Sequence, residues 1–205
     1  DAKIEDEKEK LDNIQSVKKN YQLISSRQEH ENFIKQLSKQ NVVSFDTETT
    51  SLKIDEAKLL GISFSFKANE GFYCDLSQDL NHEILNLYQP FFKSNSLKIA
   101  HNLKFDLGVL YENGVQIEGP IFDTMIAHYL IDAEQRHNLD HLSRTVLKYN
   151  PIPIEDLIGE KKRQQINMSD VPVEQLKDYA AEDADLTYQL YLVFKTQLQS
   201  LHVES

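Results

Sequence analysis

The chain predicts an α/β domain: a mixed central sheet with a three-strand meander plus crossover strands, flanked by helices. Three observations point there. Runs rich in β-branched and aromatic residues fall at 42–48, 59–66 and 71–76, the last two separated by a Lys-Ala-Asn-Glu-Gly turn. A short apolar run at 97–100 leads directly into a helical pattern at 103–111, as a strand and its crossover helix do. Beyond these, most of the remaining chain carries apolar residues at three- and four-residue intervals.

The elements follow in order. Residues 1–20 are dense in Asp, Glu and Lys with few apolar residues, and read as a charged linker or N-terminal extension ahead of a domain spanning 21–205. Residues 21–25 suit a short strand, and 29–37 a helix with Phe33, Ile34 and Leu37 on one face. After the meander, 83–92 reads as a helix, 97–100 as a strand, and 103–111 as a helix ending before Asn113-Gly114, whose glycine suits a left-handed cap. Asp123 is placed to cap a helix over 125–131, Asn138 one over 139–148, and Pro172 opens a long helix reaching about residue 201.

Composition narrows the class. With 205 residues and 40% hydrophobic content the chain can bury one substantial core. The single cysteine, Cys74, excludes an internal disulfide and a cysteine zinc site, and is consistent with a reducing, cytoplasmic setting. No apolar run is long enough to span a membrane, and the charged N-terminus does not read as a secretory signal. A net charge of −11 argues against nucleic-acid binding through a broad basic face, leaving Lys104 and the Lys161-Lys162-Arg163 run as local basic elements. The chain lacks an initiator Met, which suggests a piece of a longer protein.

Four acids stand out because of where they fall. Strand alternation puts Asp46 and Glu48 on one face at the end of the 42–48 strand, and two carboxylates crowded there favour a shared divalent cation. The ordinary alternative is a strand running out into the polar Thr49-Thr50-Ser51 turn. Asp106 follows Asn102 by four residues at the start of a helix, where an acid also complements the helix dipole. In the last helix, Leu176, Tyr179, Ala180, Asp183, Thr187, Leu190 and Phe194 form one stripe. Asp183 interrupts that stripe, with Tyr179 one turn earlier on the same side, whereas Glu182 and Asp185 fall off it and are expected to face solvent. Hard cations such as Mg²⁺ or Mn²⁺ take oxygen ligands, and two-metal phosphodiester cleavage uses several carboxylates, which these four supply.

The ordered set Phe-Asp-Thr-Glu-Thr at 45–49, Asn-Leu-Lys-Phe-Asp at 102–106 and Tyr-Ala-Ala-Glu-Asp-Ala-Asp at 179–185 resembles the DEDD superfamily of metal-dependent 3′ to 5′ exonucleases, in its tyrosine subclass. Position 178 is Asp, so the histidine subclass does not fit. The chain is most similar to the proofreading domain of bacterial family A DNA polymerases, and the similarity continues through Phe122-Asp123-Thr124-Met125, Arg136-His137 and Ile158-Gly159-Glu160-Lys161. It implies an RNase H-like fold and two Mg²⁺ or Mn²⁺ ions in the presence of substrate. By the same resemblance Asp46 bridges the ions, Glu48 and Asp183 complete the first, Asp106 holds the second directly or through water, and Tyr179 orients the attacking water. Leu52, Asn102, Lys104, Phe105 and Arg136 match positions near the substrate strand, and Ile154 stands where the family usually has an aromatic. The implied partners are the 3′ end of single-stranded DNA and a polymerase domain on the same longer chain, with the fragment itself monomeric. Two rivals remain: an RNase D-like RNA-trimming exonuclease, and a module that only binds single strands or supports a polymerase.

Overall fold

The computed structural model describes residues 11–160 and 165–201. Strand β1 (Asn20–Ile24) leads into α1 (Arg27–Leu37), whose start is fixed by a capping box between Ser26 and Glu29. The meander is β2 (Val42–Thr49), β3 (Leu59–Ser65) and β4 (Glu70–Asp75), antiparallel throughout. The helix expected over 83–92 is instead a 3₁₀ turn, Leu85–Tyr88, followed by the short α2 (Gln89–Phe92). Pro90 lacks the N–H that a continuous helix needs, and sits where a new helix begins. Strand β5 (Leu97–Ala100) and α3 (Leu103–Glu112) follow, and Gly114 takes the expected left-handed φ of 80°.

A three-residue strand, β6 (Ile121–Asp123), was too short to stand out in the sequence. Helix α4 (Thr124–Ile131) is capped by the Asp123 carboxylate, which accepts from the N–H groups of Met125 and Ile126. Helix α5 (Leu139–Thr145) ends before residue 148, because Lys148 adopts a left-handed φ of 57°. Asn138 occupies its N-cap without a side-chain capping bond. A short α6 (Ile154–Ile158) precedes the long α7 (Val173–Ser200).

The sheet order is β1-β4-β3-β2-β5-β6, with β1 parallel to β4 and the β2-β5-β6 half parallel. Its two faces differ in chemistry. Val43, Phe45, Ile62, Phe64, Phe72 and Cys74 point to one side and pack with Phe33 and Leu37 of α1, Tyr88, Phe91, Phe92 and Leu110 in an aromatic-rich core. The alternate residues of the same strands, among them Ser44, Gly61, Ser63 and Gly71, lie under α7, which presents Ala180, Ala181 and Ala184. Small residues on both sides let helix and sheet approach closely. The Ser44 hydroxyl donates to the Ala184 carbonyl at 2.6 Å, and a Cβ on Gly71 would fall 2.6 Å from the Ala181 carbonyl oxygen.

The described end of the charged N-terminal stretch, residues 11–19, lies against this body. Asp12 and Tyr149 form a β-bridge, and Lys19 is buried in an ion pair with Asp185 at 2.8 Å. Residues 1–10 and the Lys161-Lys162-Arg163 run lie outside the described residues. Among the described residues no helix is long and apolar enough to cross a membrane.

Candidate active site

Asp46 and Glu48 alternate with Thr47 on β2, so both carboxylates project toward α7 and Thr47 toward the opposite layer. On α7, Asp183 faces them. Oxygens of Asp46, Glu48 and Asp183 all lie within 4.8 Å of one another. Asp46 and Asp183 remain partly open to solvent, while Glu48 is 5% exposed.

Such a trio resists ionisation on its own. Burial pushes the Asp46 carboxyl up to about 7. Glu48 lies well above the ordinary carboxylate range through burial, then the charges of Asp46 and Asp106; Asp183 does so through burial, then Asp46 and Glu48. Glu48 Oε1 is buried with no hydrogen-bond partner among the described residues. A buried acceptor without a donor, beside two more hard oxygen donors, fits a divalent cation of the Mg²⁺ or Mn²⁺ type. The residues present therefore suit the metal that the motifs imply.

The fourth acid arrives differently. Asp106 lies in the first turn of α3, in the layer opposite α7, and it is outside the trio. Its Oδ1 accepts from the Thr47 N–H at 3.0 Å and the Thr47 hydroxyl at 2.7 Å. The charge of Asp46 still raises its pKa, after burial. Thr47, between the two motif acids, is thus the residue that sequence reasoning missed. Its alternation on the strand was the signal, since a donor aimed away from Asp46 and Glu48 meets whatever acid the other layer supplies.

Tyr179 is half-buried, and the charge of Asp183 raises its phenol pKa ahead of burial, with Glu48 and Asp46 adding to it. The hydroxyl therefore stays protonated and is available to donate a hydrogen bond. Asp140 of α5 also acts on Asp183 and Tyr179 through its charge.

Glu182 and Asp185, expected to face solvent, are both fully buried. The expectation fails because α7 is enclosed on several sides: it packs on β1 to β5 and also on α4, α5 and α6. Glu182 accepts from the Tyr149 hydroxyl at 2.5 Å and from the Ile152 N–H at 2.6 Å. Asp185 accepts from Lys19, the Tyr21 hydroxyl, the Asn69 N–H and Gln189. Every acid in the 182–185 segment thus has an assignment: Asp183 toward the trio, the other two toward the framework.

The remaining positions sit at the surface. Leu52 is 89% exposed in the loop after β2. Asn102 is exposed in a left-handed conformation at the start of α3, with its N–H and that of Leu103 bound by Asp123. Lys104 is exposed and Phe105 half-buried on the first turn of α3. Arg136 is exposed in the 132–138 loop, which is tied down by His137 sharing a hydrogen bond with His128 at 2.7 Å. Ile154 is 36% exposed at the start of α6.

The profile of the 3′-5′ exonuclease family matches residues 21–199. The chain is 35% identical over 195 residues to DNA polymerase I of Borreliella burgdorferi, which covers 92% of this chain and 21% of that protein. It is 37% identical over 165 residues to DNA polymerase I of Chloroflexus aurantiacus, covering 77% of this chain and 17% of that one. It spans about a fifth of the length of these relatives. In fold it is similar to the catalytic core of RRP6 from Trypanosoma brucei, with a TM-score of 0.72 at 17% identity over 91% of this chain and 51% of that one. It is likewise similar to NrnC of Brucella melitensis, with a TM-score of 0.69 at 20% identity over 91% and 85%. The fold is accordingly RNase H-like, and with its carboxylates in place the chain belongs to the 3′-5′ exonuclease family.

Proposed function

We propose that this chain removes nucleotides from the 3′ end of single-stranded or frayed DNA, as the proofreading part of a longer DNA polymerase I-type protein acting in the cytoplasm. The observation that carries the reading is the convergence of Asp46, Glu48 and Asp183 within 4.8 Å, with the Tyr179 hydroxyl under their charges.

Asp46, Glu48 and Asp183 would hold one Mg²⁺ or Mn²⁺ ion, and Asp46 and Asp106 would be the residues to hold a second, Asp106 directly or through water, when substrate phosphate supplies further oxygens. Bound there, the ions would supply Lewis-acid stabilisation of the attacking water and of the departing 3′ oxygen. Tyr179, kept protonated by Asp183, orients that water by hydrogen bonding. Thr47 presents Asp106 to the site by holding one of its oxygens. Leu52, exposed beside β2, contacts the terminal base, and Asn102, Lys104, Phe105 and Arg136 line the path of the strand. With Ile154 in place of an aromatic, that position contributes apolar contact without base stacking. The fragment acts as a monomer, with the polymerase domain on the same longer chain.

The test is digestion of 3′- and 5′-labelled single-stranded DNA, and of RNA of the same sequence, with Mg²⁺, Mn²⁺ or EDTA. Shortening from the 3′ end that requires the ion and favours DNA is the expected result. A preference for RNA would move the reading to the RNase D-like class. Degradation undiminished by EDTA would exclude the mechanism.

A further inference from the structure

Three polar atoms on the strands under α7 are buried without a hydrogen-bond partner among the described residues: Glu48 Oε1, Ser63 Oγ and Tyr73 Oη. Strand register explains how they come together. Asp46 lies opposite Ser63, and Ser63 opposite Tyr73; one row further, Glu48 lies opposite Gly61, and Gly61 opposite Asp75. Tyr73 leans out of its own row. A Cβ built on Gly61 would fall 2.5 Å from the Tyr73 hydroxyl oxygen and from two of its ring carbons. The phenol thus fills the space over Gly61, the direct cross-strand neighbour of Glu48. Facing Cβ positions on paired strands are about 4.5–5.5 Å apart, which leaves the hydroxyl within one side-chain length of the Glu48 carboxylate. Of the charged groups acting on the Tyr73 phenol, Glu48 comes first, ahead of Asp75.

We propose that Tyr73 is a positioning residue for Glu48: its hydroxyl donates to the Glu48 carboxylate and holds it in the orientation that closes on a divalent cation. A buried donor and a buried acceptor, each unpaired, both gain when a rotation of the Glu48 side chain brings them together. The bond also leaves the second Glu48 oxygen free for the ion, the usual arrangement for a ligating carboxylate. Gly61 is part of the device, because any side chain there would displace the ring. The inference rests on the metal-dependent reading of the site.

Tyr73→Phe removes the hydroxyl and keeps the ring. Mn²⁺ binding to the parent and the variant is followed by the electron paramagnetic resonance signal of free Mn²⁺, and unfolding is followed by heat in EDTA. The variant should bind Mn²⁺ roughly 10- to 100-fold more weakly, the range for losing a group that orients a metal ligand. Its Tm in EDTA should be no lower than the parent's, and excess Mn²⁺ should restore turnover of single-stranded DNA. Equal Mn²⁺ affinity in the two proteins overturns the proposal. If that equality comes with a lowered Tm, the hydroxyl serves the adjoining cavity of about 60 Å³ lined by Asp75 and Leu176. A parent that binds no Mn²⁺ overturns the metal reading as well, and the two failures are told apart by the parent alone.

Discussion

Replacing Asp46 by Asn should make the metal-free protein more stable while abolishing its activity. In the folded chain the Asp46 carboxyl titrates at about 7 against an ordinary value of 3.8. A difference of that size is worth about 4 kcal/mol, at 1.36 kcal/mol per pH unit. Asp46 keeps part of its surface in solvent, so about half is the better expectation, roughly 2 kcal/mol. The sign follows from proton binding. An acid whose pKa is higher when folded holds more protons in the folded state, so stability falls as pH rises from the unfolded value to the folded one. For Asp46 that window runs from 3.8 to about 7. Urea unfolding in EDTA should therefore show the variant ahead at pH 7.5 and level with the parent near pH 4. Saturating Mn²⁺ should reverse the order at pH 7.5, since only the parent retains the full ligand set. An Asp46→Asn protein less stable than the parent in EDTA at pH 7.5 would refute the argument, because the acid would then be holding the fold together.

Other substitutions separate the chemistry from the framework. Tyr179→Phe should lower turnover by roughly one to three orders of magnitude, with Mn²⁺ affinity and strand binding retained, as measured by single-turnover digestion and anisotropy. Lys19→Met removes the cation from a buried pair and should cost about 3 kcal/mol in urea unfolding, the low end for such a loss, because Asp185 keeps its bonds from Tyr21, Asn69 and Gln189. A loss below about 1 kcal/mol would mean the pair is solvent-screened. Glu182→Ala leaves the Tyr149 hydroxyl and the Ile152 N–H unpaired and should destabilise by about 2–6 kcal/mol. Glu182→Gln can accept from one and donate to the other, so it should stay within a few-fold of the parent in turnover; an inactive Glu182→Gln enzyme with intact folding would place Glu182 in the chemistry.

The parts that were legible in the sequence are those where a period meets a single environment. The meander shows because each of its strands buries aromatic or branched residues on one face, such as Val43 and Phe45 or Ile62 and Phe64. The acid trio shows because an i, i+2 pair on a strand and an acid on a helical stripe have no cheap apolar explanation. The errors share a cause. A stripe predicts one buried face, and α7 has neighbours nearly all round, so Glu182 and Asp185 are hidden by the Tyr149 loop and by residues 19–21. Their partners lie 33, 164 and 166 positions away along the chain, a separation that local pattern does not encode. Strand alternation shows that Thr47 faces the other layer, but for the same reason it does not show that the acid it meets is Asp106, 59 positions away. The helix expected over 83–92 is broken for a local reason, the missing N–H of Pro90.

The close seating of α7 on the sheet has a consequence for ion choice. Gly71 lies against the backbone of Ala181, and the Ser44 hydroxyl grips the carbonyl of Ala184, on either side of Asp183 in the chain. A helix wedged in this way has little room to move toward the strands, which narrows the range of spacing between the Asp183 backbone and those of Asp46 and Glu48. Adjustment to ions of different radius then falls mainly on carboxylate rotations. A cage of nearly constant width discriminates by size, and Ca²⁺, which wants longer bonds and more ligands than Mg²⁺ or Mn²⁺, should occupy the site without supporting turnover.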